Sequence, residues 1–183
     1  MSLADRWADT IYRFATTKSR LKIVITPIGI VFWFGFSTLL VFASLWLDGV
    51  LPVHLPFVIP VGIFVSLPLL ILGSVLCLWT VFSFFRARGS PVPLNPPQKL
   101  VVKGLYAYVR NPMTLGWFLI LFGVGVVLNS ISLIFIFTPL FIYLNFVYLK
   151  TVEEKEMEKK FGKEYLTYKQ SVPMFIPWLG KRK

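Results

Sequence analysis

Two groups of polar residues bracket one long apolar stretch. Arg110-Asn111-Pro112-Met113-Thr114 opens it, and Glu153-Glu154 follows it, shortly before Phe161-Gly162. Asn111-Pro112 reads as a helix start, with Asn at the N-cap and Pro at the first helical position. The free N–H groups and positive dipole end there, beside Arg110, suit a carboxylate. Glu153 and Glu154 are adjacent like charges, which repel unless a cation or hydrogen-bond donors satisfy them. With Glu156, Lys159 and Lys160 at salt-bridging spacings they could be an ordinary solvated face. Their position, one turn beyond an apolar run and within reach of Asn111, argues for a site. Such a site would hold a charged, water-soluble molecule while facing lipid.

The chain that must position these groups has 183 residues, 56% of them hydrophobic, with a net charge of +11. Three uncharged runs, 23–47, 57–85 and 114–149, decide its class. The first two are long enough to cross a hydrocarbon core of roughly 30 Å. The third would make about 54 Å of helix at 1.5 Å per residue, too long for one crossing. It divides into helices at 112–128 and 131–149, joined by a tight turn at Asn129-Ser130. All 19 Lys and Arg fall in 1–22, 86–110 or 150–183. The positive-inside rule then makes both termini and the 86–110 loop cytoplasmic. The expectation is an all-α integral membrane protein with four main transmembrane helices. Its C-terminal pair forms a helical hairpin over a cytoplasmic pocket. Leu3, Trp7, Ile11 and Phe14 share one helical face, with Arg6, Asp9 and Arg13 opposite, so 1–22 reads as an interfacial amphipathic helix. It counts as a fifth element if it dips into the bilayer. Residues 23–93 carry the first two crossings, and 94–183 the hairpin, the pocket and a C-terminal segment.

Several functions are excluded. The apolar runs contain no Asp, Glu, Lys, Arg or His, which argues against a pump or proton-coupled transporter. The basic charge is accounted for by topology and by attraction to membrane lipids, not by nucleic acid. The single histidine, His54, falls in the short loop after the first run. No Ser-His hydrolase and no Cys/His metal set can be built on the cytoplasmic side, and no metal is expected. Chemistry there must proceed by binding and orientation. Gly123 and Gly125 suggest close helix packing, and Asn145 an interhelical hydrogen bond. Phe161, Tyr165 and Tyr168 form an apolar stripe, and 172–178 reads as an extended tail anchored by Trp178.

Read together, these residues resemble the isoprenylcysteine carboxyl methyltransferase family and the related phospholipid N-methyltransferases. The likeness covers roughly 94–178. It rests on Gly104-Leu105-Tyr106, Arg110 to Gly116, Glu153-Glu154, Phe161-Gly162, Tyr165, Tyr168 and Val172-Pro173. It implies that S-adenosylmethionine binds in the cytoplasmic pocket and leaves as S-adenosylhomocysteine. Gln98, Lys99, Leu100, Val101 and Tyr106 would line the cofactor. Asn111, Pro112, Met113 and Thr114 would occupy the family's binding tetrapeptide, and Glu153 and Glu154 its acidic pair. A lipophilic or lipidated acceptor would enter from the bilayer. The eukaryotic carboxyl methyltransferases usually carry His at the place of Asn111, Tyr at that of Thr114, and Arg at that of Leu149.

Methyl transfer from a sulfonium is an in-line displacement that needs no general base when the acceptor is already ionised. On the family likeness the acceptor is a prenylated cysteine carboxylate, oriented by Arg110 or Lys150. The alternatives are a phospholipid amine or a thiol, with Glu154 or water as base for an amine. A further alternative is a non-catalytic scaffold of the same fold.

Overall fold

The computed structural model describes residues 21–51, 59–86 and 100–176, and every regular element among them is helical. The expected interfacial helix up to residue 20, His54, Gln98, Lys99 and Trp178 lie outside the described residues. Helices α1 (Leu21–Val50) and α2 (Ile59–Arg86) are formed by the first two apolar runs. Helix α3 (Pro112–Val127) follows a 3-10 turn at Gly104–Ala107. The chain then forms one helical run, Leu133–Phe161. It comprises a π turn (Leu133–Phe137), α4 (Thr138–Tyr148), a second π turn (Leu149–Glu153) and α5 (Glu154–Phe161). Helix α6 (Lys163–Ser171) comes last. Val31–Val50, Val61–Phe84 and Leu133–Phe161 are long and apolar enough to cross a membrane, and the chain is a membrane protein. The 16 residues of α3 rise about 24 Å, less than a hydrocarbon core of ~30 Å.

The α3 helix stops at Asn129, whose φ of 54° is left-handed, a conformation that Asn tolerates better than most residues. The N–H of Ser130 bonds the carbonyl of Gly125 and that of Asn129 the carbonyl of Val126, the paired bonds of a Schellman ending. Ser130 Oγ then accepts the N–H of Leu133 and so caps the next helix. Helix α1 reaches this turn. It continues to Val50, past the end expected at residue 47, and brings Asp48 into the apolar span. That carboxylate is tolerated because the turn satisfies it: Ser130 Oγ donates to one oxygen and the Ser132 N–H to the other.

Pro139 accounts for the first π turn. Proline has no N–H to donate, and its ring crowds the carbonyl four residues back. Widening the preceding turn relieves that crowding, and the Thr138 N–H bonds Leu133 O five residues back. Asn145 was expected to bond between helices, but its amide donates to Phe141 O within its own helix. Phe141 itself packs with Leu40, Phe118 and Leu121 in the core that joins α1, α3 and α4.

Lipid offers little hydrophobic drive between helices, so association rests on close packing. The α2–α3 contact illustrates this. A Cβ on Gly73 would lie 2.5 Å from Gly116 O, and one on Gly116 would lie 2.6 Å from Gly73 O. Gly123 faces Leu70 of α2, and Gly125 faces Ile134 of the returning helix, so both serve the close packing expected of them. A Gly116→Ala variant should lose about 1–3 kcal/mol through overpacking. Gly35→Ala, with open space around it, should be neutral or slightly stabilising. Thermal unfolding of the two variants in detergent checks this ordering.

Candidate functional site

The segment before α3 is held by the end of the chain. Gly104 takes a φ of 66°, and the 3-10 turn that it starts buries Tyr106. The Tyr168 hydroxyl donates to Tyr106 O at 2.7 Å. The Arg110 N–H bonds Pro173 O at 2.9 Å, and the Asn111 N–H bonds Met174 O at 3.2 Å. Phe175 then meets Phe118 edge-on at 5.2 Å. The described part of the expected tail is irregular, with bends at 172 and 174–176, and it is built into the protein against the start of α3.

Charge fixes the same segment from the other side. Arg110 Nη1 donates to Glu154 Oε1 at 2.5 Å, with the two side chains only 10% and 6% exposed. The other Glu154 oxygen meets Lys169 Nζ at 2.5 Å, and Lys169 continues to Glu158 at 2.8 Å. Both oxygens of Glu154 are thus engaged. The hydrogen bonds to Glu154 and then Glu158 raise the Lys169 pKa, so that contact is intact at neutral pH and is lost only as alkali removes the proton. The Tyr165 hydroxyl lies 3.4 Å from Arg110 Nη1. Burial pushes this phenol up to about 12, against the opposing pull of Arg110, so it stays neutral.

These contacts border a cleft that is open to solvent. Of the expected site residues, Leu100, Val101, Tyr106, Arg110, Asn111, Met113, Thr114, Glu153 and Glu154 line it together. Pro112 is buried at the first position of α3 but is not in the wall. Lys150 also stands outside the cleft, exposed, with its ammonium 5.5 Å from the Phe146 ring. Asn111 occupies the N-cap position as expected, but its side chain makes no capping bond and is left to the cleft. Arg110 Nε is buried without a hydrogen-bond partner.

Phe84, Leu149, Met157, Phe161, Tyr165 and Tyr168 complete the wall. The sequence reading had not placed Phe84 or Met157 there. Leu149, Glu153, Met157 and Phe161 recur every four residues, a spacing that could have identified one helical face. Lys169 had no local signal, because its link to Glu154 depends on the turn at Gly162.

The two ion pairs of Glu154 differ in burial, and their removal should differ accordingly. Arg110→Met leaves a buried carboxylate short of its inner partner and should cost about 3 kcal/mol. Lys169→Met, at a side chain 35% exposed, should cost about 1 kcal/mol or less. Adding Glu154→Leu to Arg110→Met should recover part of the loss in equilibrium unfolding.

Three curated relatives share part of the chain. It is 34% identical over 86 residues to a methanethiol S-methyltransferase of Crocosphaera subtropica, covering 47% of this chain and 32% of that protein. Methanethiol S-methyltransferase 1 of Bradyrhizobium diazoefficiens is 35% identical over 83 residues, 45% of this chain and 27% of the relative. Protein-S-isoprenylcysteine O-methyltransferase of Schizosaccharomyces pombe is 34% identical over 83 residues, 45% and 35% of the two chains. The chain therefore spans about a third of the length of these relatives. The family model described as phospholipid methyltransferase matches residues 61–164, from α2 through the cleft to the start of α6. With more than half of its length matched, the chain belongs to the phospholipid methyltransferase family.

Proposed function

We propose that the chain is a membrane methyltransferase that uses S-adenosylmethionine to methylate a lipophilic acceptor. The observation that carries this is the cleft itself. Polar groups in need of partners stand beside the ends of helices that otherwise face lipid. Arg110 Nε and the uncapped Asn111 amide offer donors to an amino-acid carboxylate. Tyr106, Leu100, Val101, Met113 and Thr114 offer the mixed apolar and polar wall that a nucleoside requires. The residues present therefore fit the cofactor. When bound, it supplies a methyl group on a positively charged sulfur.

Acceptor entry from the bilayer is supported by the apolar wall residues Phe84, Leu149, Met157 and Phe161, which come from the ends of the long apolar helices. A cytoplasmic cleft and cytoplasmic termini, with the short α3 counted as a fourth crossing, are supported by the distribution of Lys and Arg. Among acceptors, a lipophilic thiol agrees best with the charges. It needs no fixed cation, and two of the relatives are named for methyl transfer to sulfur. A prenylated cysteine carboxylate remains the second reading, favoured by the name of the Schizosaccharomyces pombe relative. Against it, Arg110 is engaged by Glu154 and Lys150 stands outside the cleft.

Catalysis on this reading is positioning. The Arg110–Glu154 pair and the C-terminal segment hold the α3 start rigid, which fixes the orientation of the reacting groups. Isothermal titration of the detergent-purified chain with S-adenosylhomocysteine should give micromolar binding. Asn111→Ala should weaken it by on the order of tenfold, the worth of one buried hydrogen bond. No binding to a folded wild-type chain would remove the methyltransferase reading.

A further inference from the structure

The second π turn decides which of Leu149 and Lys150 enters the cleft. In an uninterrupted α-helix the Glu154 N–H would bond Lys150 O, four residues back. It bonds Leu149 O instead, so the turn holds one residue more than an α turn. Glu154, Met157 and Phe161 line the cleft from α5. At about 100° per residue, a straight helix would set Lys150 within about 20° of Phe161 and Leu149 about 120° away. The extra residue rotates the preceding helix by up to about 100° and exchanges the two. The side chains follow this register. Leu149 is buried in the cleft wall, while Lys150 is exposed outside it with its ammonium against the Phe146 ring.

The groups that fit the cofactor's amino-acid end, Arg110 Nε and Asn111, come from the segment before α3. Leu149 comes from the end of the apolar span that a lipophilic acceptor would follow into the cleft. Among the described residues of the cleft Arg110 is the one cation, and Glu154 neutralises it. We propose that Leu149 sets the charge of the acceptor. By holding the place that Lys150 would otherwise take, it admits amphiphiles that arrive uncharged and rejects those that arrive as carboxylates. This rests on the methyl-transfer reading and assigns its acceptor choice to one residue, placed by one turn.

The physical cause is desolvation. A carboxylate drawn from water against an aliphatic wall loses hydration and needs a cation or hydrogen-bond donors in return. Leu149 offers neither. An uncharged thiol loses little on the same transfer, and its alkyl chain gains apolar contact with the leucine. An arginine at this place reverses the preference. Its five donors in a planar fork can satisfy a wall carboxylate and an acceptor carboxylate together.

The test uses the purified full chain in lipid nanodiscs, with saturating S-adenosylmethionine and two probes, decanethiol and (octylthio)acetate. Near neutral pH the thiol is uncharged and the carboxylate ionised. The readout is the carboxylate-to-thiol ratio of methylation rates, in which any change in folding or cofactor affinity cancels. Wild type should prefer the thiol. Leu149→Arg should raise the ratio by on the order of tenfold to a hundredfold, the worth of a hydrogen bond to a charged group. Leu149→Met, which changes shape without charge, should leave it nearly unchanged, as should Lys150→Leu, outside the cleft. If Leu149→Arg does not fold, Leu149→Gln carries the test at smaller amplitude, because its amide offers uncharged donors. A wild type that prefers the carboxylate, or a ratio unmoved in the polar variant, overturns the proposal. So does an equal rise in Leu149→Met, or a Lys150→Leu variant that moves the ratio as far. A wild-type chain that binds S-adenosylhomocysteine and methylates neither probe overturns it too. A wild-type chain that does not bind S-adenosylhomocysteine fails earlier, on the methyl-transfer reading itself, and takes the proposal with it.

Discussion

The Arg110–Glu154 ion pair is the interaction on which the site depends. It joins the residue just before α3 to the first turn of α5, elements 44 residues apart in sequence. Both side chains are nearly buried, so the pair is maintained by mutual neutralisation and not by water. It also decides what each neighbour can do. Glu154, held by Arg110 and Lys169, is a structural charge, while Glu153 is left to face the cleft. Arg110, committed through Nη1, keeps only Nε without a partner. The Tyr168–Tyr106 bond and the backbone bonds from Arg110 and Asn111 to Pro173 and Met174 brace the same point.

The membrane sets the terms on which the rest is assembled. Between apolar helices, stability comes from close contact and from satisfying the few polar groups present. Gly73 and Gly116 bring α2 and α3 together backbone to backbone, so the cleft wall at Met113 and Thr114 is tied to the middle of α2. Cys77 Sγ reaches Met113 O at 3.5 Å in the same contact. At the other end of α3, Asp48 and Ser130 fasten the turn to α1. The short α3 is thus fixed at both ends, and its cleft end is the one that leaves an amide side chain uncapped and a buried donor without a partner.

Much of this was legible in the residues, because the constraints involved are local. Uncharged runs define the spans, Asn129-Ser130 stops α3, and Asn111-Pro112 starts it. The cleft was legible through a family likeness and the clustering of polar groups, which led to nine of its wall residues. What could not be read depends on tertiary contact. Nothing near Glu153 and Glu154 says which of them Arg110 will take, or that Lys169 folds back past Gly162 to take the other oxygen. The second π turn has no proline to announce it. Lys150 and Leu149 are adjacent in sequence, yet the helix turns the cation away from the cleft and the leucine into its wall. Asp48 looked like a loop residue because charge normally ends a span, and only the turn that receives it makes its place in α1 tolerable.

The most direct measurement of the central claim is an experimental structure of the chain with S-adenosylhomocysteine bound. The account predicts the amino-acid end of the ligand against Arg110 Nε and Asn111, and the nucleoside against Tyr106, Leu100 and Val101. The Arg110–Glu154 pair should be unbroken. Ligand density elsewhere on the protein, or a ligand that displaces Arg110 from Glu154, would contradict it.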